Sequence, residues 1–144
     1  MMRVLVFIII GFFALNLNAQ NLNPQEHGDH FDQDKLVVLW TSDDPYLAER
    51  VALMYTHAAR ASGWYEEVTL IVWGPSAKLL AENVRIQEKV RDMHRDGVVV
   101  EACITCANDY GVTADLEDLG FVEVKPMGRP LTEYIKSGIY VLTF

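Results

Sequence analysis

Two cysteines three positions apart, Cys103 and Cys106 in the run VVVEACITCANDYG (98–111), are the only thiols in the chain. A thiolate is a strong nucleophile, and a C-x-x-C pair can close a disulfide where the backbone brings the sulfurs together. The apolar residues before the pair read as a strand and those after it as a helical turn, which places Cys103 at a strand-to-helix junction. Free backbone N–H groups at a helix start favour a thiolate, so Cys103 is the candidate nucleophile, expected at the solvent-facing rim of the fold. In a helical turn a spacing of three puts Cys106 on the same side, where it is the candidate second, resolving thiol.

Four chemistries compete for this pair. Both cysteines can be inert packing, since cysteine is among the most buried residue types. A structural metal site needs further ligands, and the sequence has no second C-x-x-C and no nearby His-x-x-x-His. A dithiol redox pair of the thioredoxin type fits the spacing, although such a pair usually follows an early strand and this one follows the third. Finally, Cys103 can attack a sulfane sulfur and hold it as a persulfide.

Other polar residues have plainer readings. Glu101 is a carboxylate beside the thiols, which opposes thiolate formation, so a solvated or helix-capping role is expected for it. His57 and His94 fall within long helical stretches and read as surface histidines. Asp43 and Asp44 follow the first strand, where one of them caps a helix. Trp40, Trp73 and Tyr110 read as packing residues or pocket walls. His27, Asp29, His30 and Asp32 lie in a polar, acidic stretch with no defined ligand geometry, so neither a metal nor any other cofactor is expected.

The elements that must position the cysteines come from Lys35 to Phe144. KLVVLWT (35–41), EVTLIVW (67–73), VVVEA (98–102), FVEVK (121–125) and IYVLTF (139–144) are β-branched and apolar, and the first is apolar on both faces, as a covered parallel strand is. Between them, Pro45 to Ser62 predicts a helix with Leu47, Val51, Met54, Tyr55 and Ala58 on one face. A second long helix is expected after Gly74-Pro75-Ser76, burying Leu79, Leu80, Val84, Ile86, Val90 and Met93 and closed by Gly97. Shorter helices follow Cys103, Thr113 as a cap, and Leu131. Five strands alternating with helices predict a three-layer α/β/α sandwich around a mainly parallel five-stranded sheet.

The first nineteen residues stand apart. Arg3, a twelve-residue apolar stretch from Val4 to Leu15 and Leu-Asn-Ala ahead of Gln20 form a signal-peptide pattern, with cleavage expected after Ala19. The stretch is shorter than the roughly 20 residues that span a bilayer, so the mature chain is not expected to be membrane-embedded. Residues 20–34 read as a polar linker, and the domain occupies 35–144. A periplasmic or secreted destination places the thiols in an oxidising compartment. The formal charge of −8 becomes −9 without Arg3, 11 Lys+Arg against 20 Asp+Glu, which opposes binding to nucleic acid.

An apolar strand, Cys103, small residues and then Gly111-Val112 eight and nine positions later resemble the active-cysteine segment of the DsrE family, the sulfur-relay proteins that include TusD. The opening KLVVLWTSDDPYLAERVALMYTHAARASG and the closing GFVEVKPMGRPLTEYIKSGIYVLTF resemble the same family's first and last portions, so the resemblance covers about 110 residues. It implies a DsrE-like sandwich assembled as a homo-oligomer, a trimer or hexamer. It also implies that Cys103 passes persulfide sulfur between a donor and an acceptor, each a protein or a small sulfur compound. Two features depart from TusD-like carriers: the export signal, and Cys106, which could turn relay into reductive release. A dithiol redox protein and a non-catalytic oligomeric binding module stay open beside the carrier.

Overall fold

The computed structural model describes residues 32–144, with side chains from Asp34 onward. The expected leader and most of the linker, including His27, Asp29 and His30, lie outside the described residues. Five strands, β1 (Asp32–Trp40), β2 (Glu67–Val72), β3 (Val98–Cys103), β4 (Glu123–Lys125) and β5 (Ile139–Thr143), form one sheet in the order β4-β3-β2-β1-β5. Every pairing is parallel. The expected α/β sandwich is thus the observed one, with β1 beginning three residues earlier than Lys35.

Handedness decides which face each helix covers. The connections β1 to β2, β2 to β3 and β3 to β4 all step the same way, and right-handed crossovers put their helices on one face. The return from β4 to β5 across the sheet puts α7 (Gly128–Lys136) on the other. Two apolar clusters match this division. The larger contains Leu36, Val38, Trp40, Leu70, Leu80, Ile86, Met93 and Leu116. The smaller contains Val37, Ile71, Cys103 and Met127, with Leu131 and Tyr134 of α7 packed against it. Alternation along β1, with Leu36, Val38 and Trp40 facing one side and Val37 the other, explains why that strand reads as uniformly apolar.

The first crossover corrects the expected helix face. It runs as α1 (Pro45–Leu47), a π-helical turn (Ala48–Ala52) and α2 (Leu53–Ala61). The buried residues are Ala48, Ala52, Leu53, Thr56 and Ala59, whereas Val51 and Met54 are exposed. Small side chains let the helix approach the sheet closely, and the wider π turn rotates the alanine stripe inward in place of the bulkier one. Asp44 caps this segment, its Oδ1 accepting from Tyr46 N at 2.8 Å and Leu47 N at 3.3 Å. Replacing Asp44 with alanine is expected to lower stability by about 1 kcal/mol in urea unfolding while leaving the reactivity of both cysteines unchanged.

The second crossover is broken where one helix was expected. Asn83, extended at φ −111° and ψ 102°, ends α3 (Ser76–Glu82) and starts α4 (Val84–Arg95), its side chain accepting from Ile86 N at 3.1 Å. Val84 therefore becomes the first residue of a new helix and is exposed, while Leu80, Ile86, Val90 and Met93 are buried as expected. The third crossover holds α5 (Ile104–Tyr110) and α6 (Thr113–Asp118). Gly111 closes α5 in the left-handed region at φ +69°, a conformation that favours glycine. Thr113 is not a cap: it is the first residue of α6, and its hydroxyl donates to Asn108 Oδ1 at 2.7 Å.

Candidate functional site

Because all five strands run the same way, the ends of β1 to β4 line one edge of the sheet, and Cys103 is the last residue of β3. Residues alternate across a strand, so Cys103 shares its face with Glu101 and lies under the cover provided by α7 and the segment before it. Its backbone is extended at φ −73° and ψ 112°, and the chain turns into α5 directly after it. The helical turn that follows brings Cys106 back against Cys103. Both are free thiols, and Cys106 packs against the apolar cluster that contains Cys103.

Their environments differ, and the difference corrects an expectation. Cys103 is only 4% exposed, enclosed with Val37, Ile71 and Met127, so it is not at the solvent-facing rim in the single chain. Its side chain also makes no capping hydrogen bond to the first amides of α5. Cys106 is half-buried and is the outer of the two thiols. Burial pushes the Cys106 thiol up, and hydrogen bonding to Cys103, the Cys103 charge and Asp109 push it further, while a bond from the Gly74 backbone opposes them. Cys106 therefore keeps its proton near neutral pH.

Glu101 is neither solvated nor a helix cap. It is a buried carboxylate on an inner strand, bonded to Lys125 Nζ at 2.7 Å, with the Tyr134 hydroxyl 3.4 Å from both of its oxygens. Lys125 also donates to Glu123 at 2.8 Å and is the register partner of Cys103 on β4. Burial alone would lower the Lys125 ammonium, but the bonds and charges of Glu101 and Glu123 outweigh it and hold the group above the usual lysine range. Burial and the Glu101 charge push the Tyr134 hydroxyl up, opposed by Lys125 and by a bond to Thr69. Lys125 and Tyr134 were not singled out in the sequence. The signal that points to them is a single glutamate in an otherwise apolar strand, which demands a partner once buried.

The remaining candidates fall away from the thiols. His57 Nε2 lies 2.6 Å from Asp96 Oδ2, and His94 Nδ1 lies 3.2 Å from the Val98 carbonyl, so each ties a helix to its surroundings. Asp44 is occupied as a cap, and Asp43 is exposed. Trp40 is core, Tyr110 is exposed on α5, and Trp73 alone of the three aromatics packs against the Cys103 cluster. Among the described residues no group of three or more His, Cys, Asp or Glu side chains is placed to hold a metal ion. No helix among them is long and apolar enough to cross a membrane.

Comparison with known proteins agrees with this architecture. A solved structure of a conserved protein of unknown function, BT1422 from Bacteroides thetaiotaomicron, superposes with a TM-score of 0.73 and is 36% identical, over 77% of this chain and 95% of that one. The ychN protein from E. coli superposes with a TM-score of 0.62 at 20% identity, over 78% of this chain and 99% of that one, and shares the fold. Among curated proteins, none matches the chain. The model of the DsrE/DsrF-like family matches residues 34–144, spanning both cysteines and all of the sheet except the first two residues of β1. The chain is a member of the DsrE/DsrF-like family.

Proposed function

We propose that the chain is an exported sulfur carrier in which Cys103 accepts sulfane sulfur as a persulfide and passes it on. Family membership associates the chain with sulfur relay. The observation that carries the finer reading is the packing of its only two thiols together where β3 runs into α5, one enclosed and one half-exposed. In the loading step the Cys103 thiolate attacks a terminal sulfur of a polysulfide, forming Cys103–S–S⁻ and releasing a polysulfide one sulfur shorter. In the transfer step an acceptor thiolate attacks the outer sulfur, and Cys103 leaves as the thiolate. The enclosure by Val37, Ile71 and Met127 shields the persulfide from competing thiols between the two steps.

Cys106 favours a second outcome at the same site. Attack of Cys106 on the inner sulfur of the loaded Cys103 expels hydrosulfide and leaves a Cys103–Cys106 disulfide. The transferred sulfur is reduced, the two cysteines are oxidised, and an external thiol must reduce the disulfide for another turn. A dithiol redox role rests on the same packing without the sulfur.

Incubation of the reduced protein with a polysulfide, followed by mass spectrometry of the cysteine peptides, tests the carrier role. Added sulfur on Cys103 is the expected result, and its absence at every donor concentration overturns the proposal. Export of the chain to the periplasm or beyond the cell follows from the leader pattern in residues 1–19. It is tested by the N-terminus of the mature protein, expected at Gln20.

A further inference from the structure

Sulfur transfer requires Cys103 to carry negative charge, first as thiolate and then as persulfide. Yet Glu101, two residues earlier on the same strand face, is buried and lies about 7 Å away along the strand. Left alone, that carboxylate would oppose a second negative charge in so enclosed a place. Lys125 is positioned against this repulsion: it is the cross-strand register partner of Cys103, and its ammonium reaches back to Glu101 Oε1 at 2.7 Å.

We propose that Lys125 is a positioning residue for Cys103, cancelling the Glu101 charge on the shared sheet face so that the sulfur can stay anionic. The inference rests on Cys103 being the sulfur acceptor. The other ionisable groups near the thiol are few. From α5 come Cys106 and Asp109, from β4 Glu123, and from α7 Tyr134, whose hydroxyl also faces Glu101. Arg129 and Glu133 of α7 pair with each other on its exposed side at 2.7 Å, and Lys35 pairs with Glu67 at 3.1 Å at the opposite end of β1 and β2. Lys125 is thus the cation that shares the thiol's register.

Glu101 needs a partner once it is buried, but stability alone does not call for the two residues together. A buried ion pair adds little net stability over well-packed apolar residues of similar size, so β3 and β4 could be joined as firmly without it. What an apolar pair could not do is set the charge beside the thiols.

The test uses the full chain with Cys106→Ser, so that one thiol remains. The ultraviolet absorbance of the thiolate is followed against pH, with the chain lacking both cysteines subtracted. Lys125→Met is expected to raise the titration midpoint by about one pH unit, a tenfold loss of thiolate at pH values below the midpoint. Glu101→Gln is expected to lower it, Lys125→Arg to leave it in place, and Lys125→Met with Glu101→Gln to return it close to the starting value. A midpoint that neither single substitution moves, or that both move in one direction, overturns the proposal. Glu101→Gln keeps the shape of the side chain and decides the matter alone should Lys125→Met fail to fold. No sulfur donor enters the titration, so its outcome is independent of whether Cys103 accepts sulfur.

Discussion

The chain carrying Cys103→Ser, given a polysulfide, is expected to take up sulfur at least about tenfold more slowly than the parent, and none of it at position 103. Cys106 is a poor substitute because burial and the Asp109 charge, both of which survive the substitution, hold its thiol protonated near neutral pH. The complementary substitution is expected to act in the other direction. Cys106→Ser removes the neighbour that can attack the inner sulfur, so the Cys103 persulfide should form and persist for longer than in the parent. Released hydrosulfide and the Cys103–Cys106 disulfide should vanish together, since both come from that one attack. Time-resolved mass spectrometry of the two peptides, with hydrosulfide measured alongside, separates the readings. If Cys106→Ser abolishes sulfur uptake, Cys103 is not a carrier by itself. If Cys103→Ser loads Cys106 at the parent rate, the assignment of Cys103 as acceptor is wrong.

Much of what positions this site was legible in residue types. The run VVVEA reads as a strand from its apolar, β-branched residues, and the thiols were expected where it ends. Once Cys103 is known to be the last residue of β3, strand alternation puts Glu101 and Cys103 on one face. What could not be read was the partner across the sheet. Lys125 is 22 residues beyond Cys103, and its register opposite the thiol follows from how the short β4 docks on β3. Nor could the sequence distinguish two helical stripes of similar period between Pro45 and Ala61. The bulkier stripe promised more burial, but the π turn and the close approach of alanines decided for the other. The solvent-facing rim expected for Cys103 fails for a related reason. Local pattern places a strand end at the rim of an α/β sheet, whereas Met127, far along the chain, is what encloses it.

That enclosure sets the second large expectation: Met127→Ala should cost about 2–5 kcal/mol and expose Cys103. Met127 is 1% exposed and precedes α7, and α7 has no fully buried residue of its own. The helix is held to the sheet by the partly buried Leu131 and Tyr134, the latter through contacts to Glu101 that are long at 3.4 Å. The cover over the thiol is therefore its least firmly attached side, and the side by which a sulfur donor would enter. Truncating Met127 removes the one fully buried contact that this segment makes with the Cys103 cluster. If the loss falls on local opening, labelling of Cys103 by a small uncharged thiol reagent should accelerate by about thirtyfold for every 2 kcal/mol. Leu80→Ala is the control, since it removes a comparable volume from the opposite face of the sheet, where Leu80 is fully buried. It should lower global stability to a similar degree in urea and leave Cys103 labelling near the parent rate. Equal acceleration by both substitutions would mean that the sulfur is reached only when the whole domain unfolds, and a carrier loaded by that route could not relay sulfur in its native state.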